Sequence, residues 1–252
     1  LAALGARASG VGMLSIAVPE SLKTLVAAQL PEALVIGCPE TTSGAISQLA
    51  GIDLSTYDAI AAGPGLTSEP ALIVKSILES DRPLILDADG LNILAQFGTI
   101  PTLSTRKAPT VITPHPGEFK RLFPDLANKM RDNRIAATQE AAQLSGAVVL
   151  LKGARVCVSY KNAIGTISTL LNPESTPALA RGGSGDVLTG LLGGLWAGTA
   201  ARHQPLESVV ETAVWWHARA GIIATSDRTE LGVDAFTLTQ YLIPALHREM
   251  GD

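Results

Sequence analysis

Cysteine is nearly absent: Cys38 and Cys157 are the two in 252 residues. Two thiols cannot build the disulfide framework of a small secreted domain, so a reducing, cytoplasmic setting is the expectation. No Cys/His spacing of the zinc-binding kind occurs. Basic charge is not in excess either, with 19 Lys and Arg against 23 Asp and Glu. A chain so balanced lacks the basic stripe that meets a phosphate backbone, which argues against a nucleic-acid partner. Long apolar runs are missing too. The best candidate, Val187 to Ala201, lies between Asp186 and Arg202, is rich in glycine and is too short to span a bilayer, so no membrane partner is expected. Neither a GxxxxGK[ST] loop nor a GxGxxG turn after a strand is present.

What is present is a core-forming chain. Hydrophobic residues make up 46%, which excludes disorder, and the length suits one large domain. Short β-branched runs alternate with helical patterns. Strands are expected at 13–18, 33–36, 59–62, 84–86, 110–112, 148–151, 156–159 and 166–171. Helices are expected at 21–30, 69–80, 91–97, 117–123, 128–145, 184–200, 206–226 and 235–250. This alternation predicts an α/β fold whose mostly parallel sheet is covered on both faces, with a hairpin or sharp turn around 148–159. The chain opens on an Ala-rich, helix-like run from Leu1 with no methionine and no capping residue, so upstream residues are expected to precede it.

In an open parallel sheet, ligands gather beyond the carboxyl ends of the strands. Four successive strands are followed by Gly63-Pro64-Gly65-Leu66, by Asp87-Ala88-Asp89-Gly90-Leu91-Asn92, by Thr113-Pro114-His115-Pro116-Gly117-Glu118 and by Lys152-Gly153. Further on, Arg181-Gly182-Gly183-Ser184-Gly185-Asp186 opens a helix. Glycines before a helix start let backbone N–H groups approach an anion, as an oxyanion of a transferring phosphoryl group would require, and Asp186 falls in the first turn. A tight turn capped by Asp186 is the plainer alternative. Other residues carry two readings each. His115 rigidifies a turn or touches ligand. Glu118 caps a helix or holds Mg²⁺ through water, since Mg²⁺ uses few carboxylates. Asp87, Asp89 and Asn92 cap and turn or contact ligand, and Lys152 is a surface charge or a phosphate contact. His217, Trp215, Trp216 and Cys157 are expected to pack.

Taken in order along the chain, these five segments resemble the signatures of the ADP/ATP-dependent NAD(P)H-hydrate dehydratases of the ribokinase-like superfamily. Trp216-His217-Ala218 is similar to that family's pattern as well. The resemblance covers essentially the whole chain, 1–252, as one three-layer α/β/α domain. It implies a missing N-terminal strand and loop. It also implies a nucleotide-dependent dehydration of the S form of hydrated NADH or NADPH. In that reaction ADP or ATP phosphorylates the ring hydroxyl and phosphate is then eliminated. By resemblance Asp186 contacts that hydroxyl and serves as base, and Gly65 and His115 contact the hydrated dinucleotide. Lys152, Gly153, Ala154, Arg155 and Val156 line the nucleotide, and Gly185 donates its N–H there beside Gly182, Gly183 and Ser184. Thr67 departs from the pattern, standing where many members carry glycine. A homo-oligomer, and an NAD(P)H-hydrate epimerase fused to the chain or working with it, are further implied. Two other functions stay open at this point. One is a small-molecule kinase of the same superfamily, acting on hydroxyethylthiazole or hydroxymethylpyrimidine. The other is a non-catalytic nucleotide-binding domain.

Overall fold

The computed structural model describes residues 1–49, 51–200 and 205–250. Ala201, the end of the apolar stretch considered above, lies outside the described residues. The chain runs α1 (Ala2–Ala8), β1 (Ser15–Pro19), α2 (Lys23–Gln29), β2 (Leu34–Cys38), β3 (Ile60–Ala62), α3 (Ala71–Glu79), β4 (Leu84–Leu86) and α4 (Ala88–Phe97). It continues through α5 (Thr99–Ser104), β5 (Thr110–Ile112), α6 (Pro116–Leu122), α7 (Ala127–Asp132), α8 (Arg134–Ser145), β6 (Val148–Leu151), β7 (Val156–Lys161) and β8 (Ile167–Asn172). The last third is helical: α9 (Ser184–Ala200), α10 (Leu206–Arg228) and α11 (Ala235–Met250).

Strands β3 to β8 form one six-stranded sheet in sequence order. β3, β4, β5 and β6 are parallel, while β7 and β8 return antiparallel. The expected turn between β6 and β7 is therefore a hairpin. Side-chain alternation divides the core into two layers. Leu84, Leu86, Ile112 and Val149 face α3 to α8, and Ile85, Val111, Val148 and Leu150 face α9, α10 and α11. β4, β5 and β6 are fully buried, and β4 and β6 read as continuous apolar runs. β1 and β2 form a separate parallel pair, half-exposed along most of its length, and do not extend the central sheet as the alternating pattern predicts.

Helix α4 begins at Ala88 and not at the expected 91, and two further helical features differ from the sequence reading for local reasons. The single helix expected over 128–145 breaks at Asn133, whose extended backbone lets its side chain accept from the Ala136 N–H at 3.0 Å and cap α8. Asparagine competes for backbone groups inside a helix and favours this position. α5 carries no apolar periodicity to announce it, being six residues with Pro101 inside the first turn.

Helix α9 is seated by small residues. A Cβ on Gly190 would stand 1.7 Å from the Ala2 carbonyl oxygen, and one on Gly5 would stand 2.2 Å from that of Val187. Gly190 and Gly194 of α9 therefore serve the close crossing with α1 inside the chain, while Gly193 lies against Ala61 of β3. Among the described residues, no helix is long and apolar enough to cross a membrane.

Candidate active site

Parallel register brings four strand ends to one rim, because Ala62 pairs with Leu86, Leu86 with Ile112 and Ile112 with Val149. Backbone bonds carry the ladder one step past the strands: Asp87 N–H donates to the Ala62 carbonyl, Thr113 N–H to Leu86 and Lys152 N–H to Pro114. The polar segments singled out in the sequence after these four strands are thus gathered side by side.

At the centre is Asp87, 1% exposed. Lys152 Nζ donates to its Oδ1 and Thr189 Oγ1 donates to its Oδ2, each at 2.7 Å. Asp87 and Asp89 do not share a face. Ala88 between them has φ +47, which turns the chain into α4. Asp89 looks away toward the Gly63 loop, where its Oδ2 accepts the Thr67 N–H at 2.9 Å. Thr67 itself sits at φ +65, a left-handed conformation that glycine adopts without cost, which explains why glycine suits this position. Asn92 turns outward and accepts from Arg121.

The Gly182–Gly185 loop enters α9 through one left-handed residue. Gly183 takes φ +86, and Val187 N–H donates to its carbonyl at 3.2 Å, closing the first turn of α9. A helix start leaves the N–H groups of Gly185 and Asp186 without an intrahelical partner. Lys152 reaches this loop from below, since a Cβ on Gly185 would lie 3.1 Å from Nζ. Asp186 is half-buried beside them. Burial first, and the negative charge of Asp87 second, push its carboxyl above the ordinary range, with Lys152 pulling the other way. It is a stronger base than a free aspartate. Arg181 is turned to the Glu230 carbonyl, to which it donates at 3.1 Å.

His217 supports the loop from behind. It is buried, and its Nε2–H donates to the Ser184 carbonyl at 2.9 Å with the Ser184 hydroxyl at 3.2 Å. Burial pulls its pKa down to about 4, so it is neutral near pH 7. Trp216 on the same helix donates its indole N–H to the Leu242 carbonyl. Both residues pack, as the sequence predicts.

His115 and Glu118 make a capping box at the start of α6. His115 Nδ1 accepts from the N–H groups of Gly117 and Glu118, at 3.0 and 3.3 Å. Glu118 Oε2 in turn accepts from the His115 N–H at 2.7 Å. The Glu118 carboxyl is pushed up chiefly by burial, and Lys152 Nζ stands 3.9 Å from its Oε2. Both Glu118 oxygens lie against His115, the second 3.5 Å from Nε2. That arrangement makes Glu118 part of the cap of α6. Among the described residues no three His, Cys, Asp or Glu groups converge as a metal site. The His115 ring is nevertheless half-exposed on the rim. Replacing it by alanine should cost about 0.5–2 kcal/mol through the lost cap. It should also raise the substrate KM more than it lowers kcat; a stability loss with unchanged KM would leave His115 as a cap alone.

Gly65 presents open backbone at φ +74, and a Cβ added there would meet nothing within 4 Å. Gly153, Ala154 and Arg155 form the exposed β6–β7 turn, while Val156 packs on the core. Arg134 of α8 clamps this turn, donating to the carbonyls of Leu151 and Lys152 at 3.3 and 3.0 Å. No sequence signal points to Arg134. Thr189 had one: it lies three residues after Asp186, hence on the same helical face.

A mostly parallel sheet between two helical layers, with a glycine loop and an aspartate at a helix start over the strand ends, defines a ribokinase-like α/β protein. A solved ribokinase-like superfamily protein from Enterococcus faecalis shares the fold, at TM-score 0.76 and 23% identity over 97% of this chain and 81% of that one. The chain belongs to the NAD(P)H-hydrate dehydratase family, whose model matches residues 1–244. It is 54% identical to the bifunctional NAD(P)H-hydrate repair enzyme of Synechocystis, over 100% of this chain and 46% of that protein. The solved ADP/ATP-dependent NAD(P)H-hydrate dehydratase of Bacillus subtilis, co-crystallised with ATP/Mg²⁺, matches at TM-score 0.79 and 32% identity, over 98% of this chain and 83% of that one. The chain spans about half the length of the Synechocystis enzyme.

Proposed function

We propose that this domain dehydrates the S form of hydrated NADH or NADPH at the expense of ADP or ATP. The observation that carries the reading is Asp186, half-buried with its carboxyl pushed up, in the first turn of α9 beside the Gly182–Gly185 loop and the Lys152 ammonium. Asp186 takes the proton of the substrate hydroxyl as its oxygen attacks the terminal phosphorus. Backbone N–H groups of the loop and the Lys152 cation face the charge that builds on the transferring phosphoryl oxygens. The bond to the nucleotide's bridging oxygen breaks, leaving a phosphate ester on the ring. The ring-nitrogen lone pair then expels that phosphate, and loss of the neighbouring C–H proton restores the dihydropyridine. Carbon oxidation level does not change overall, so the nicotinamide dinucleotide is substrate and product.

In this reading Gly65 and His115 face the hydrated dinucleotide. The 152–156 turn lines the nucleotide, and Mg²⁺ enters with the phosphates. A homo-oligomer, a cytoplasmic location and an NAD(P)H-hydrate epimerase as partner belong to the same proposal. The test uses enzymatically hydrated NADH, followed at the absorbance of the reduced nicotinamide, with ADP, ATP or no nucleotide in the presence of Mg²⁺. Recovery that depends on nucleotide supports the dehydratase and names its donor. Accumulation of a phosphorylated product without recovery of absorbance would replace it with a kinase.

A further inference from the structure

We infer that Asp87 is a positioning residue for phosphoryl transfer: its buried carboxylate holds the Lys152 ammonium beneath Gly185 of the anion loop before nucleotide arrives. This inference rests on the dehydratase reading. Asp87 ties together three parts of the site that are distant in sequence. It stands at the end of β4, accepts from Lys152 at the end of β6 and accepts from Thr189 on α9. Thr189 is fully buried, and a Cβ on Gly185 would be 3.6 Å from Asp87 Oδ2 as well as 3.1 Å from Lys152 Nζ. An ammonium carries three donors, so one bond to Asp87 leaves two for phosphate oxygens.

The fold goes to some length to build this corner. Gly63 lies so close that a Cβ there would stand 1.7 Å from the Asp87 carbonyl oxygen, and Gly90 packs on the Gly63 Cα. Ala88 accepts a left-handed backbone immediately after Asp87. A buried ion pair adds little net stability compared with an apolar contact, because both charges leave water. Its value here is placement of a cation where the loop alone supplies only dipoles.

The test compares the parent chain with Asp87→Asn, Lys152→Met and the double variant, by steady-state kinetics on hydrated NADH and by calorimetric titration with ADP. Asp87→Asn keeps the side-chain shape but removes the counter-charge. It should lower kcat/KM by about 10²-fold, the scale of a misplaced catalytic group. The double variant should be no worse than the poorer single one, since both act through one contact. The pH profile gives a readout that a merely structural role would not move. The charged groups around Asp186 are Asp87 and Asp89, which raise its pKa, and Lys152, which lowers it. Removing the Asp87 charge should shift the acid limb of kcat/KM to lower pH. Thr189→Val supplies a second route that leaves the charges in place. It should lower kcat/KM in the same direction, and Thr189→Ser should restore it. Kinetic constants and ADP affinity within twofold of the parent for Asp87→Asn or Thr189→Val would overturn the inference, as would strict additivity in the double variant. A parent chain that binds ADP but never restores NADH overturns the dehydratase reading instead. ADP affinity across the variants then still decides the role of Asp87.

Discussion

Changing Asp186 to asparagine is expected to reduce kcat by about 10²–10⁴-fold, the range general-base assistance contributes, while nucleotide binding persists. The same change should raise thermal stability near pH 7. The Asp186 carboxyl is pushed up in the folded chain, by burial first and by Asp87 second. A carboxyl with a raised folded pKa binds its proton more tightly folded than unfolded. The folded state therefore loses stability as pH climbs from the unfolded value of about 3.9 through the folded one. At neutral pH the parent bears that cost in full, and the amide does not. Melting curves and turnover measured together check both halves. Parent-like turnover removes Asp186 from the base role, and a lowered melting temperature at pH 7 contradicts the electrostatic account of the site.

Gly63→Ala should be the most destabilising single change on the rim. Gly63 has φ +124, which costs an L residue about 1–2 kcal/mol, and the new Cβ would stand 1.7 Å from the Asp87 carbonyl oxygen. Overpacking against backbone adds about 1–3 kcal/mol more, because no flexible side chain can yield. Gly65→Ala is the control two residues on. It too has a positive φ, at +74, but open space around its Cβ, so its cost should stay at about 1 kcal/mol. Urea midpoints at unchanged slope measure the difference. Turnover should fall with Gly63→Ala even where the protein remains folded, because the clash displaces Asp87. Equal losses for the two glycines would show that conformation, and not the close approach, decides this loop.

Much of this protein is legible in the amino-acid sequence because local patterns carry it. Fully buried parallel strands appear as uninterrupted apolar runs, as at Leu84–Leu86 and Val148–Leu151. Helix starts appear as glycine and capping residues, as at Gly182–Asp186 and His115–Glu118. Even the rim was readable, since strand ends in a parallel sheet must fall on one side. What the sequence left open is the choice among readings that differ only in long-range partners. Asp87 and Asp89 are the same residue type two positions apart. One lies buried between Lys152 and Thr189, 65 and 102 residues away, and the other is turned back onto Thr67. Nothing local separates them except the left-handed turn at Ala88, which an alanine does not announce. Arg134 at the 151–152 carbonyls and Gly190 of α9 against α1 are of the same kind. Periodicity and capping act over a few residues and can be read along the chain. The placement of a charge and the approach of two backbones depend on which distant segments the packed core brings together, and only the tertiary structure decides that.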